Sequence, residues 1–143
     1  MFKKKITEQD INKAKKMIES SVAFLCMQQP FFGVLLSTVN ISPSVEFETM
    51  ATNGKSISYN PLFVISLTLA HLHGVLLHEI SHMIYFHCSS KRRQGRENHR
   101  WNVSADFAIN YEIRTMGYEL PEKALFDDRF RSIAAEQIYD MLS

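Results

Sequence analysis

Ile11, Ala14, Ile18, Val22 and Leu25 recur every three or four positions through an otherwise polar stretch. That spacing predicts an amphipathic helix over about residues 8–28, with one face turned to a core. Thr7 and Asp10 have the form of a cap at its start, and Pro30 marks its end. The short apolar run from Phe31 to Leu36 suits a helix or a buried connector. Val45, Phe47 and Thr49 alternate with Glu46, Glu48 and Met50, which predicts a strand over 45–51. Asn53-Gly54 is a hairpin turn signal, with Ser56 to Tyr59 as the return strand. Asn60-Pro61 then starts a short helix. Thr68 is placed to cap a long helix over 69–88. The polar, basic stretch 89–99 predicts a loop, and 100–116 another helix, ended by Gly117. Residues 118–130 look irregular around Pro121, and Ser132 is placed to cap a last helix reaching about 142. The pattern is α+β: mostly helical, with a small antiparallel hairpin.

Composition narrows this picture only a little. A chain of 143 residues, 45% apolar, suits one domain over 1–143 with one sizeable core. The net charge of +1 favours no polyanionic partner. Cys26 and Cys88 form no CxxC pair and cannot build a disulfide framework, so a reducing cytoplasm is expected. Lys3, Lys4 and Lys5 precede a polar stretch, not the apolar core of a signal peptide. The apolar run from Leu62 to Leu77 is broken by Ser66, Thr68, His71 and His73, too short and too polar to span a bilayer. The expectation is a soluble cytoplasmic protein without membrane partners; nothing in the sequence bears on its oligomeric state.

Candidate chemistry sits on the 69–88 helix. His78 and His82 are one turn apart, about 6 Å along the axis, so both imidazoles project from one face. Two neutral imidazoles so placed suit a tetrahedral cation such as zinc. Glu79, roughly 60° around the helix from His82, is placed as a general base for water rather than as a ligand. This is the HExxH arrangement. The bland alternative is a core helix carrying two hydrogen-bonded histidines. Leu76, Leu77, Ile80, Met83 and Ile84 surround the motif, and unpaired polar groups among them would be costly; a cation satisfies all three.

A catalytic zinc site has three protein ligands, so a third is owed. Asp106 is the first candidate. It lies in the next predicted helix, on a polar stripe with Asn102 and Asn110, too deep in the helix to serve as a cap. Its alternative role is a hydrogen bond to backbone. His87 is second: it joins the site only if the helix breaks soon after His82, and a place behind the ligands suits it better. His71 is too far along the axis, and Glu112 lies on another face of its helix.

The motif and its surroundings resemble the metallopeptidase domain of bacteria and phages that often precedes a von Willebrand A-like domain. Four blocks correspond in order over about residues 45–140. They are the hairpin with Asn53-Gly54 and Asn60-Pro61; the LLHEISH helix with His87; Trp101-Asn102, Ala105-Asp106 and Asn110; and Ala135 to Tyr139. The resemblance implies a zincin-like fold with the hairpin beside the active-site helix. It also implies a zinc-dependent peptidase with His78, His82 and Asp106 as ligands and Glu79 as base. A chain of 143 residues leaves no room for the von Willebrand A-like partner, so any control it exerts is expected to be absent or supplied in trans.

The expected substrate is a peptide or protein, which the hairpin could hold by pairing with its edge. Tyr85, His87, His99 and Tyr111 are candidates to donate a proton or hydrogen bond to the oxyanion. Asn102 and Asn110 are candidates to orient ligands from behind. Trp101 suits packing between helices. Two other readings compete. One is a zinc-stabilised binding module that makes no catalytic use of Glu79. The other is nucleic-acid binding through Lys91, Arg92, Arg93, Arg96 and Arg100, assisted by Lys3 to Lys5; near-neutral net charge favours a solvated loop instead.

Overall fold

Thr7 opens the chain's first helix with a reciprocal capping box: its hydroxyl accepts from Asp10 N–H, and the Asp10 carboxylate accepts from Thr7 N–H. The computed structural model describes residues 5–142, so Lys3 and Lys4 lie outside the described residues. Helix α1 runs Glu8–Gln28 and α2 runs Pro30–Thr38. Pro30, which needs no amide partner at a first helical position, ends one helix by starting the next. A Cβ on Gly33 would lie 2.4 Å from the Cys26 backbone, so the close approach of α2 to α1 requires glycine there.

Strands β1 (Asn40–Pro43), β2 (Met50–Thr52) and β3 (Ser56–Tyr59) form one sheet in the order β1-β3-β2. β2 and β3 are the expected antiparallel hairpin, with Met50 opposite Tyr59. Two corrections follow. The sheet is mixed, because β1 pairs parallel to β3, Asn40 opposite Ser56. The strand expected over 45–51 is shorter and later, because Asn60-Pro61 ends β3 and leaves residues 45–48 no strand to pair with. The Asn60 amide instead donates to the Phe47 carbonyl.

Helix α3 (Pro61–Ser66) leads to α4 (Leu69–Ile84), capped by Thr68. Leu72, Leu76, Leu77 and Ile80 of α4 are buried against Ala14, Ile18 and Leu25 of α1, Ile57 of β3 and Ile109 and Ile113 of the later helix α6. Each such large side chain contributes about 1.5–3 kcal/mol of burial, which fixes α4 at the centre of the molecule.

α4 ends at Ile84 rather than at 88. Phe86 takes a left-handed backbone (φ 57), and His87 N–H reaches back to the His82 carbonyl at 3.0 Å. This six-to-one bond is that of a Schellman stop, without the usual glycine. The segment expected as a loop contains a short helix, α5 (Ser90–Arg93). Helix α6 runs Asn98–Thr115, starting two residues early because the Glu97 carboxylate caps His99 and Arg100 N–H. A 3-10 turn (Asp128–Phe130) precedes α7 (Ala135–Met141). Ser132, with φ 53, does not cap α7. Trp101 and Ala105 of α6 pack on Ala135 of α7 in a smaller second cluster. The fold is mostly helical α+β. No helix among the described residues is long and apolar enough to cross a membrane.

Candidate metal centre

Buried leucines take up the inner side of α4, and His78, Glu79 and His82 lie along the side that faces α6. α6 crosses beside them and presents Asp106. His78 Nε2 and His82 Nε2 are 3.0 Å apart. Asp106 Oδ1 lies 3.0 Å from His82 Nε2 and 3.3 Å from His78 Nε2. Donors bonded at ~2.0–2.1 Å to one tetrahedral ion lie about 3.3 Å from one another. The triangle therefore fits such an ion, and His78, His82 and Asp106 form a group that could hold a metal.

The hydrogen bonds behind the rings fit the same use. The Asn110 amide nitrogen donates to the Leu125 carbonyl at 2.7 Å. That turns the Asn110 oxygen to His78, where it accepts from Nδ1–H at 2.6 Å. With its proton on Nδ1, neutral His78 offers a bare Nε2 lone pair. His82 Nδ1 lies 3.1 Å from His87 Nδ1. When His82 donates there, its own Nε2 is bare as well. His87 suits the acceptor role. Burial, together with the charges of His82 and Arg92, holds its pKa down at about 3, so its ring is neutral. Trp101 Nε1–H donates to the His87 carbonyl at 2.7 Å and fixes that turn.

Without a cation, the cluster retains a proton. Burial pulls His78 down, but its hydrogen bond to Asp106 and the charges of Glu79 and Asp106 lift its pKa to about 9. His82 is pushed down, first by burial. Burial pushes Asp106 up, but hydrogen bonds from His78 and His82 outweigh it and hold the carboxyl well below the usual range. Glu79 stands apart: burial raises its pKa to about 7, opposed by His78 and aided by Asp106. Its Oε1 is 3.9 Å from His78 Nε2, outside hydrogen-bond range.

The four groups open on a cavity of about 450 Å³ between α4, α6, β2 and the segment 120–125. Asn102 lines this cavity one turn before Asp106 but, among the described residues, makes no hydrogen bond to the three donors. His71 faces elsewhere, 3.5 Å from Glu119. Glu112 accepts from Tyr85 OH. Tyr111 stacks on Phe126. Of the four candidate oxyanion donors, His87 alone is a wall of the cavity. The basic segment is largely committed internally: Arg92 pairs with Glu136 at 2.8 Å, and Arg100 lies over Tyr139, to whose carbonyl it also donates.

The sequence reading did not include Leu125, whose contribution is a main-chain carbonyl that any residue could supply. Nor did it include Val75 or Leu120, and Pro121 entered it only as the centre of an irregular segment.

The family described as "Putative metallopeptidase domain" matches residues 13–143. A relative from Thermotoga maritima, named only "Uncharacterized protein", is 24% identical over 119 residues. That stretch is 80% of this chain but 28% of the relative, so the chain spans about a quarter of the relative's length. No solved structure matches significantly.

Proposed function

The chain belongs to this family of metallopeptidase domains, and from that membership we propose that it hydrolyses peptide bonds at a zinc ion held by His78, His82 and Asp106, with Glu79 as general base. The observation that carries the proposal is the convergence of three donor atoms within 3.3 Å of one another beside a buried carboxylate that bonds to none of them. Two imidazoles and one carboxylate form the donor set of a catalytic zinc site, with a fourth position left for water. Nitrogen donors favour zinc over magnesium or calcium, which prefer all-oxygen sites. When bound, the ion supplies a Lewis acid for activating water and polarising a peptide carbonyl.

The protein's own groups do the rest. Glu79 takes a proton from the attacking water and returns it to the leaving amine. Asn110 and His87 hold the two imidazoles in the tautomer that leaves each Nε2 bare. Substrate is positioned by β2. Asn60 N–H bonds the Thr49 carbonyl, so in the alternating ladder Ala51 faces β3 while Met50 and Thr52 turn their backbone groups to the outer edge, where the Thr52 carbonyl accepts from the Cys88 thiol at 3.6 Å. That edge lines the cavity, and an extended peptide can add to it as a further strand.

The test is Glu79→Gln loaded with one equivalent of zinc, assayed on a denatured protein mixture beside wild type with and without chelator. The expected result is zinc retained, cleavage reduced at least ~100-fold, and wild-type cleavage abolished by chelation. Unchanged cleavage by the variant contradicts the assignment of the base. A zinc-replete wild type that cuts nothing contradicts the hydrolase and leaves a zinc-stabilised binding module.

A further inference from the structure

Much of the cavity wall is apolar. Away from the metal donors its walls are Met50 of β2, Phe63 of α3, Val75 of α4, and Leu120, Pro121 and Leu125 of the segment after α6. Val75 lies one turn before Glu79 on the same helix, so this apolar end begins about 6 Å from the base. The wall is held in place from behind. A Cβ on Gly74 would lie 1.9 Å from the Glu119 carbonyl oxygen and 3.5 Å from a Leu120 methyl, so the glycine lets this segment lie directly on α4. At its far end the Leu125 carbonyl is bonded to Asn110. A pre-formed apolar recess beside reacting groups is the usual form of a side-chain subsite.

We infer that this recess is a specificity subsite for a large aliphatic or aromatic side chain of the substrate, next to the bond that is cut. The inference rests on the peptidase reading and names its substrate class. Lys123 also lines the cavity from this segment and is exposed, as is Leu125 at 37%.

Binding tests the subsite independently of turnover. Zinc-loaded and metal-free protein are titrated by NMR with the N-acetyl amides of leucine, phenylalanine, glycine and aspartic acid. The leucine and phenylalanine derivatives should move the Val75 and Leu125 resonances and bind ~10–200-fold more tightly than the glycine derivative. Leu125→Ala should weaken leucine binding. Val75→Phe, which fills the recess, should abolish it; where that variant unfolds, Leu125→Ala decides alone. Equal binding of all four, shifts centred elsewhere, or tightest binding of the aspartic derivative through Lys123 would overturn the subsite. Cleavage of a peptide library separates the two levels. Cleavage without preference for apolar side chains overturns the subsite and leaves the peptidase standing. No cleavage, with leucine amide bound at Val75, supports the recess and overturns the peptidase.

Discussion

For His78 and His82 to present bare nitrogens to an ion, another group must take the proton on the far side of each ring. For His78 that group is Asn110, itself aimed by the Leu125 carbonyl. For His82 it is His87, kept neutral by burial. Removing such a partner typically costs 10–100-fold in metal affinity. Asn110→Ala is therefore expected to weaken zinc by about that factor in competition with a chromophoric chelator, and His87→Ala to do the same. Affinities within twofold of wild type would show that the two imidazoles need no support from behind. His87 also shows what a residue-by-residue reading can and cannot reach. Its place behind the two imidazoles follows from the 3.1 Å contact with His82, and that contact exists only because the helix stops at Ile84.

At the scale of elements, boundaries with a local signal were mostly legible: α1 and α6 end before Pro30 and Gly117 as expected, whereas Ser132 does not start α7. Thr7 with Asp10, Asn60 with Pro61, and Thr68 each carry a local side-chain signal, and each cap is where the sequence puts it. The stop of α4 carries none, because Phe86 occupies the left-handed position that glycine usually takes. Its ring is 69% exposed and gains little packing there. Phe86→Gly is thus expected to raise stability by up to about 1 kcal/mol, read as a shift in urea midpoint. A clear loss of stability would mean that the ring makes contacts of its own. β1 was illegible for a different reason: its parallel partner lies 16 residues on, beyond any local pattern. The segment after α6 acts through backbone, and its signal is a glycine on another element. Gly74→Ala should cost about 1–3 kcal/mol in chemical denaturation, because the new methyl meets main chain rather than a flexible side chain. A neutral result would show that the segment moves freely.

For the whole molecule, the proposed zinc ties α4, at the centre of the core, to α6, which carries the second cluster and α7. Binding restricted to the folded state adds ~2.7 kcal/mol at a free zinc concentration 100 times Kd. A chelator should then lower Tm by on the order of 10 °C; an unchanged Tm would show that the ion contributes nothing to holding the helices together. The outer tie is Arg92 to Glu136, joining α5 to α7. The hydrogen bond from Arg92 holds Glu136 down at about 2. A carboxyl depressed below its unfolded value of about 4.5 adds stability above that pH and loses it as pH falls towards 2. Because the pair is partly exposed, the effect is a fraction of about 1 kcal/mol. Wild type should exceed Glu136→Gln in urea midpoint at pH 5.5, with the gap narrowing by pH 3; a gap that widens on acidification would reverse the assignment. Everything functional, however, depends on whether three side chains from two helices take one ion. Elemental analysis of protein purified without added metal tests this most directly. One zinc per chain in wild type and almost none in Asp106→Ala is the predicted result, while a metal-free wild type, or full zinc in the variant, would contradict it.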